Sequence, residues 1–404
     1  AMPGLTKVTQ RRAAAKVGSA GAPLSPALDE TIARLPYAVR REARRLVRRS
    51  PRLGELALVF PGALFALATQ RGPAGQRLKA VSLIEQGAPL KAVARALGLP
   101  LWLKKLPPEA FQLPLGELPL TETFARRISA RLPRDPSEAA FWLETVAFAH
   151  AAAGEDFAVW LAEQPLYGEP GDAPRVFAVL ATYAWFSTAV LTRGHSLIVV
   201  PWRPGVALDT AVCAAKSWLN RVRLVCQLGP GVIIDTWLEG GEALGYTFAP
   251  LIEQRGLLDE AHAMQNCADQ YSERLSRERC RLFSIAREGV KVATMEIGPH
   301  PRETGVLAIV QLKARHNMPA PVEVWQAAHA WMASQRGLKR QPSLFSPERP
   351  FDAEVWRQLM QPYRVQRRGA AWIPEQVSAP VIAALDLDMA DLARRAGVTS
   401  WLFT

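Results

Sequence analysis

The stretch that decides the fold is RLFSIAREGVKVATMEIG, residues 281–298, followed by VQLKARHN, residues 310–317. Apolar and polar residues alternate in it as strands require, and Glu288-Gly289 is a turn signal between two such runs. A tight turn there pairs Arg287 with Val290 and predicts an antiparallel hairpin. Continued without interruption, this register places Ile285 opposite Val292, Phe283 opposite Thr294 and Arg281 opposite Glu296.

A third strand is predicted after the hairpin, with Leu307, Ile309, Gln311 and Lys313 sharing one face. If the connecting loop spans residues 298–305, Glu296 lies opposite Leu307, and Lys313 is about 20 Å away along the strand. A longer loop would instead place Glu296 opposite Gln311. The apolar run 306–310 favours the first register, because the second would leave it unpaired.

Polar side chains on this sheet predict a site. Helical spacing extends from Leu258 to Ser276, with Met264, Cys267, Tyr271 and Leu275 on one stripe. If this helix covers the strand face carrying Arg287, Thr294, Glu296 and Gln311, the polar groups need partners and form a pocket with Asn317 at its rim. If it covers the other face, they form a solvated patch. A purely structural alternative is an ion pair between Arg281 and Glu296.

The motifs in residues 258–334, about a fifth of the chain, are similar to those of the PcfJ-like family. They are MQNCADQY (264–271), RLFSIAREG (281–289), VATMEIG (292–298), VQLKARHN (310–317) and PVEVWQAAHAWM (321–332). The family is associated with conjugative plasmids, phages and bacterial chromosomes, and the resemblance implies no established activity. The matching positions are Asn266, Cys267, Tyr271, Arg287, Thr294, Glu296, Gln311 and Asn317. Asn266 stands where many members have His, and Ala268 and Ala314 also depart from the pattern.

These positions except Asn266, together with Lys313, give the candidate catalytic residues: Cys267, Tyr271, Arg287, Thr294, Glu296, Gln311, Lys313 and Asn317. A metal-dependent nuclease is one alternative, with Glu296 and Gln311-x-Lys313 around Mg²⁺ and a second carboxylate from Asp269 or Glu273. No cofactor is predicted outside that alternative. The six histidines form no HxxxH or HExxH pattern, so we predict no dedicated metal site.

The net charge of +12 is concentrated at the start of the chain. Residues 1–50 carry eleven Lys and Arg against three acidic residues. Such an excess attracts phosphate backbones, although a solvated leader has the same composition. The candidate nucleic-acid-binding residues there are Arg40, Arg41, Arg44, Arg45, Arg48 and Arg49. A helix-turn-helix-like element at 80–111 adds Lys91 and Arg95, and a plain helical hairpin is its alternative.

With half of 404 residues hydrophobic, the chain can bury a large core. We predict an α+β protein with a small antiparallel sheet flanked by helices. Its predicted parts are a disordered basic leader (1–26), a helical domain (27–166), an α+β lead-in (167–257), the PcfJ-like core (258–334) and a helical C-terminal region (335–404). The lead-in is predicted to contain strands at 196–202 and 232–237 and a helix at 208–224.

The four cysteines lack a disulfide or zinc spacing and fit a reducing cytoplasm. No signal peptide is visible, and the uncharged stretch 176–192 is too short and too hydroxylated for a bilayer span, so we predict a buried helix and no membrane. The function we expect is a nucleic-acid-associated accessory protein of mobile-element or plasmid type, with DNA or RNA as partner. An enzyme using the polar cluster and a helical scaffold remain alternatives; a protein partner and the oligomeric state stay open.

Overall fold

A computed structural model describes residues 23–133, 135–337 and 346–398. By its internal contacts the chain divides into two compact units, Ala1–Leu115 with Leu132–Ala140, and Gly116–Arg131 with Phe141–Thr404. Most of the predicted basic leader, residues 1–22, lies outside the described residues. The fold is α+β, with helices toward both ends of the chain and a five-stranded antiparallel sheet, as predicted.

The first unit is helical. Its elements are α1 (Pro26–Ala33), α2 (Tyr37–Arg49), α3 (Pro51–Val59), α4 (Pro61–Ala68), α5 (Ala74–Glu85) and α6 (Leu90–Ala96), with 3₁₀ turns at Leu101–Lys105 and Pro108–Ala110. Proline opens α1, α3 and α4, where its missing N–H leaves no bond unmade. The predicted helix pair is present as α5 and α6, and Gly87 turns the chain between them with φ of 71°.

The second unit begins with helices and ends with helices. Its elements before the sheet are α7 (Glu122–Ile128), α8 (Pro136–Ala153, whose first five residues count with the first unit), α9 (Glu155–Ala162), α10 (Ala173–Val176), α11 (Ala178–Thr188), α12 (Arg193–Ser196) and α13 (Leu208–Gln227). The elements around and after the sheet are α14 (Gln254–Met264), α15 (Ser272–Ser276), α16 (Val322–Ser334), α17 (Ala353–Gln366) and α18 (Ala379–Arg395). The predicted helix at 208–224 is therefore confirmed as α13.

The two strands predicted in the lead-in are wrong. Residues 196–202 finish α12 and then run without regular structure, and 232–237 form no strand. The backbone groups of these segments form isolated hydrogen bonds and not the repeated bonds of a β-ladder. The Tyr183 hydroxyl donates to the Val200 carbonyl, the Trp202 N–H donates to the Ser187 hydroxyl at 2.9 Å, and the Ile234 N–H donates to the Ile252 carbonyl at 2.8 Å. Alternation of residue types cannot distinguish such an extended segment from a paired strand.

The prediction of a buried helix at 176–192 is confirmed as far as Ser187, with a break at Phe177 between α10 and α11; α11 ends at Thr188, and Val190 and Leu191 are exposed in the turn that follows. Its hydroxyls are satisfied inside the helix, since Thr182 donates to the Ala178 carbonyl and Ser187 to the Tyr183 carbonyl. Among the described residues, no single helix is long and apolar enough to cross a membrane; α3 and α4 meet that test only as a pair, and they are bent by 120°.

The sheet is a meander in the order β1 (Gly241–Ala243), β2 (Tyr246–Pro250), β3 (Arg281–Arg287), β4 (Val290–Pro299) and β5 (Leu307–Ala314), with every neighbouring pair antiparallel. The sequence predicts the last three strands and misses β1 and β2, which are short and lie outside the motif region. The predicted turn is confirmed, since Arg287 pairs with Val290.

A β-bulge in each of the last two strand pairs changes the predicted register. In β4 the bulge at Val292 places Ala293 opposite Ile285, so Met295 and Ile297 face Phe283 and Arg281. In β5 the bulge at Val310 separates the pairs Ile297–Ile309 and Glu296–Gln311. The favoured prediction of Glu296 opposite Leu307 is wrong. Leu307 pairs with Pro299, three residues further along β4, and the bulge at Val310 adds one more residue, so Glu296 lies opposite Gln311.

Gly298 makes room for the second bulge. A Cβ at this position would lie 2.7 Å from Val310 Cγ2, a distance that real Cβ contacts do not show. Ile309 consequently packs into the core on one face, while Gln311 and Lys313 belong to the opposite face. The bulge thus places the apolar side chains before it and the polar side chains after it on opposite faces of the sheet.

Each face of the sheet carries its own core. One face packs on α16, with Trp331 fully buried and its ring stacked on Phe248 at 4.9 Å between centroids. The other face packs Leu282 against α14 and the segment that follows it, including Leu257, Ala261 and Leu275. The polar residues of β4 and β5 lie on this second face.

Candidate functional site

The segment that covers the polar face is not the continuous helix predicted from Leu258 to Ser276. Helix α14 ends at Met264, and Gln265 takes a left-handed conformation with φ of 47°. A 3₁₀ turn at Ala268–Gln270 and the short α15 follow. The predicted stripe is therefore broken: the reversal at Gln265 turns Asn266 and Cys267 toward the sheet, where a straight helix would carry the chain past it.

A small pocket opens between this segment and the sheet, with a cavity volume of about 20 Å³. Its lining brings together seven of the eight candidate catalytic residues. They are Cys267, Tyr271, Thr294, Glu296, Gln311, Lys313 and Asn317, and the lining is completed by Asn266, Ala268 and Leu282. Of the two predicted placements of the helical segment, the one that covers the polar face is the one found.

Arg287 is the candidate that does not join the pocket. Its side chain is exposed, and its guanidinium lies 5.4 Å from the centre of the Tyr246 ring, on the face that packs against α16. The predicted ion pair between Arg281 and Glu296 is also wrong. Arg281 instead lies over the Trp237 ring at 4.4 Å and donates to the Cys280 carbonyl at 2.8 Å. The bulge at Val292 causes both changes, since it shifts the register of the hairpin.

Glu296 is the centre of the pocket and is only 1% exposed. Its Oε2 accepts hydrogen bonds from the Tyr271 hydroxyl at 2.9 Å and from the Gln311 amide at 2.6 Å, and Arg274 forms an ion pair with Oε1. Gln311 also donates to the Tyr271 hydroxyl. A buried carboxylate needs such partners to stay charged at low cost. Sequence reasoning missed Arg274, although it lies three residues after Tyr271 and thus on the same side of a helical turn.

A second network connects α14 to β4 beside the pocket. Glu260 is fully buried; its Oε1 accepts from the Thr294 hydroxyl at 2.5 Å, and its Oε2 lies 2.8 Å from the Lys291 ammonium. Thr294 in turn accepts from the Asn266 amide at 2.8 Å. These bonds fix the position of Asn266 at the pocket wall. Nothing in the sequence pattern distinguishes Glu260 and Lys291 from ordinary charged surface residues.

The thiol and the phenol of the pocket are both held in their neutral forms. Burial, with further contributions from Asp269 and Glu296, raises the pKa of Cys267, and its Sγ lies 4.0 Å from Asn317 Oδ1. Burial and the neighbouring Glu296 raise the pKa of Tyr271 well above its ordinary value. A catalytic thiolate requires the opposite shift, so the surroundings do not activate Cys267.

We expect Cys267 to react with iodoacetamide more slowly at pH 8 than the cysteine of a short unstructured peptide, because a raised pKa leaves less thiolate at that pH. The rate should rise as the pH increases further. Peptide mass spectrometry after timed labelling separates Cys267 from the half-buried Cys213 and the two buried cysteines. Labelling of Cys267 faster than the peptide would restore the hypothesis of a nucleophile.

Lys313 gives the pocket a positive charge that no carboxylate of the described residues neutralises. Glu296 is paired with Arg274 and Glu260 with Lys291, whereas within the described ranges Lys313 has no acidic partner within ion-pair distance. Its ammonium carries up to three N–H donors on a flexible stem. The pocket therefore favours a negatively charged group.

The magnesium site of the nuclease alternative lacks its second carboxylate. Glu296 does lie opposite Gln311, but Asp269 is bound to Arg221 at 2.6 Å and Glu273 to Arg223 at 3.0 Å. In the part of the chain that the structure describes, no three His, Cys, Asp or Glu side chains are grouped to hold a metal ion. The remaining carboxylate, Glu296, already has three protein partners.

The candidate nucleic-acid residues of the first unit lie mainly on α2. This helix buries Ala43, Leu46 and Val47, so its outward face carries the arginines. Four of the six are engaged within the unit: Arg40 with the Leu35 carbonyl, Arg44 with Asp29, Arg45 with Glu42 and Arg49 with Glu85. Arg41 and Arg48 are exposed and form no ion pair among residues 23–133, although Arg41 adds to the lowering of the pKa of Glu42 that Arg45 dominates. Lys91 and Arg95 are exposed on α6.

Comparison with known proteins gives no match: no protein-family model, no curated protein and no solved structure matches this chain. The similarity to the PcfJ-like family stays a resemblance of motifs. A proposal for the function therefore rests on the arrangement of the residues in the pocket and on α2.

Proposed function

We propose that this protein binds nucleic acid through the arginine face of α2 and that the pocket of the second unit recognises a ligand without transforming it. The observation that carries the first part is the pair Arg41 and Arg48, about two helical turns apart on one face. Both are exposed, and among residues 23–133 neither forms an ion pair that would compete with phosphate; the neighbouring Glu42 is itself paired with Arg45. Arginine suits phosphate because its planar fork can donate two parallel hydrogen bonds.

The phosphate contacts expected of α2 carry no sequence preference. A single helix that presents arginines to a backbone lowers its free energy by releasing counterions, and this contribution is the same for any duplex. Lys91 and Arg95 on α6 are the proposed supplement, as the second helix of a helix-turn-helix-like pair. The resemblance to a family associated with plasmids and phages agrees with an accessory protein of a mobile element.

The chemistry of the pocket supports recognition over catalysis. Glu296 is occupied by Tyr271, Gln311 and Arg274, and an acid or base must exchange protons with a substrate. Cys267 and Tyr271 have raised pKa values, so neither is poised as a nucleophile near neutral pH. What the pocket offers is Lys313 and a fixed set of hydrogen-bonding groups.

The double variant Arg41→Glu, Arg48→Glu should weaken binding to duplex DNA about tenfold or more at low salt. It should also reduce the slope of log K against log salt by about two, roughly 0.9 for each phosphate that is no longer neutralised. Fluorescence anisotropy of a labelled duplex, titrated at several salt concentrations, measures both quantities. An equivalent RNA hairpin tests the choice between the two nucleic acids.

The matched control is Arg302→Glu, Arg336→Glu, which makes the same change in net charge at exposed positions of the second unit. It should alter affinity much less, because long-range attraction between exposed charges is screened beyond about 10 Å at 0.1 M salt. Equal losses in the two double variants would contradict a site on α2 and leave only an effect of total charge. Retention of full affinity in the α2 variant would contradict the proposal outright.

A further inference from the structure

A groove larger than the pocket lies beside it in the second unit, with a cavity volume of about 670 Å³. One wall is α13, with Thr210, Ser217 and Arg221, and the other is the end of α14, with His262 and Gln265. Asn266 lines both the groove and the pocket, so the two meet at its side chain. Neither the motifs nor the charge pattern of the sequence points to this groove.

The meeting point of groove and pocket is rigidly built. The Asn266 amide donates to Thr294, and its Oδ1 accepts from the Ala268 N–H at 3.1 Å. Below it Asp269, 3% exposed, is bound to Arg221, which is 9% exposed. Buried polar groups held in this way keep a fixed geometry, as a preorganised binding site requires.

Three residues with a left-handed backbone lie at or beside the cleft. Of the eight non-glycine residues with positive φ in the described ranges, Gln265 lines the groove and Asn317 the pocket, and His316 is adjacent to Asn317. A left-handed conformation is unfavourable for a non-glycine residue, and it persists where surrounding structure enforces it. Together with the buried polar network, this is typical of a binding site.

We propose that the groove and the pocket form one cleft that binds a nucleoside monophosphate, with the phosphate at Lys313 and Asn317 and the nucleoside along α13. Within the described ranges Lys313 is a cation of the cleft without an acidic partner, and the Asn317 side chain, whose oxygen lies near Cys267, has an amide group to donate. A phosphate that takes two such donors gains charge-assisted hydrogen bonds.

The groove provides what the uncharged part of such a ligand needs. Its walls combine the hydroxyls of Thr210 and Ser217 and the amide of Gln265 with the apolar side chains of Val199 and Val200. Hydroxyls and amides both donate and accept, which matches the edge of a base and the hydroxyls of a sugar. Val199 and Val200 are 50% and 47% exposed, and a bound nucleoside would cover that apolar surface.

This proposal does not depend on nucleic-acid binding by α2, and the experiment separates them. The full chain is titrated with AMP, GMP, CMP and UMP by isothermal calorimetry, with the corresponding nucleosides and inorganic phosphate as partial ligands. We expect saturable binding of at least one nucleotide and weaker binding of its nucleoside. Lys313→Gln should weaken nucleotide binding about tenfold, as the loss of a charge-assisted hydrogen bond implies. Lys79→Gln, at an exposed lysine of the first unit, should leave it unchanged.

Two variants test the groove. Ala214→Phe and Thr210→Trp place bulk on its α13 wall, and Thr210 is exposed, so the second substitution tolerates the larger side chain without disturbing the core. Both should abolish nucleotide binding and preserve binding of inorganic phosphate, with far-ultraviolet circular dichroism confirming that α13 is intact. The Arg41→Glu, Arg48→Glu variant should bind the nucleotide like the wild type.

Four results would overturn the proposal. Absence of saturable binding by all four nucleotides excludes the ligand class. Wild-type affinity in Lys313→Gln removes the phosphate site, and wild-type affinity in both α13 variants removes the nucleoside site. Loss of nucleotide binding in the α2 variant would assign the binding to the arginine face and leave the cleft without a nucleotide.

Discussion

Replacing Trp331 by alanine is expected to lower the free energy of unfolding by about 3–5 kcal/mol, the cost of emptying a large aromatic site in a packed core. Trp331 is fully buried on α16, and its ring lies 4.9 Å from those of both Phe248 and Phe283. The indole therefore connects the helix to β2 and β3 at one point. Chemical denaturation followed by circular dichroism measures the loss.

Two further variants of α16 serve as comparisons for the stability loss expected in Trp331→Ala. Trp331→Phe should cost far less, because the buried indole N–H has no hydrogen-bond partner among the described residues and only part of the ring is removed. Trp325→Ala makes the identical substitution at a half-buried position, where less apolar surface is involved. If Trp325→Ala were as damaging as Trp331→Ala, α16 would be stabilised by its whole length and not by the stacked ring.

The apolar core also determines which face of the sheet carries the pocket residues, and for this reason part of the site could be predicted from the sequence. Phe283, Met295 and Ile297 are apolar residues of the three-strand motif, and their burial against α16 fixes which face of β4 carries Thr294 and Glu296. Period-two alternation therefore predicts correctly that these two residues share a face, and the Glu288-Gly289 turn predicts the hairpin. The presence of both Thr294 and Glu296 in the pocket follows from those two facts.

Register is the part that alternation could not predict. Val292 and Val310 are β-branched residues within apolar runs, and nothing in the local pattern marks either as a bulge. One extra residue reverses every side chain beyond it, so Arg287 leaves the site and Gln311 enters alignment with Glu296. Gly298 is a sequence signal for the second bulge, since glycine in a strand interior often marks close approach by a neighbour.

The partners of the buried charges are also beyond what the sequence pattern predicts. Arg274 and Glu260 come from segments whose direction depends on the left-handed turn at Gln265, and glutamine gives no warning of positive φ. The helical spacing of Met264, Cys267 and Tyr271 continues across that turn, so periodicity alone predicts a continuous helix. Tertiary structure overrides local periodicity here, because burying Glu260 requires the hydroxyl of Thr294 and the ammonium of Lys291.

Replacing Glu296 by alanine is the second expected large effect, a loss of about 2–4 kcal/mol of unfolding free energy. The substitution removes the acceptor of two hydrogen bonds, from Tyr271 and from Gln311, and leaves both groups half-buried, with the bond from Gln311 to the Tyr271 hydroxyl as the one that remains between them. Each unsatisfied buried group costs about 1–3 kcal/mol. The side chain of Arg274 is 45% exposed, so it can turn to water, and its share of the loss is small.

Glu296→Gln distinguishes charge from shape in the same pocket. The amide keeps the volume and can still accept from Tyr271, but it loses the ion pair with Arg274 and turns its NH₂ group toward neighbouring donors. We expect about half of the loss seen with alanine. Glu323→Ala, at an exposed position in the first turn of α16, is the control and should stay within about 0.5 kcal/mol of the wild type.

A stable Glu296→Ala protein would have the opposite meaning. Buried charges can lower stability relative to apolar replacements of similar size, so a variant as stable as the wild type would mean that the bonds to Tyr271, Gln311 and Arg274 do not compensate for desolvation of the carboxylate. The carboxylate would then have to be explained by the ligand. Loss of nucleotide binding in that stable variant would identify Glu296 as the group that holds Tyr271 and Gln311 in position at the cleft.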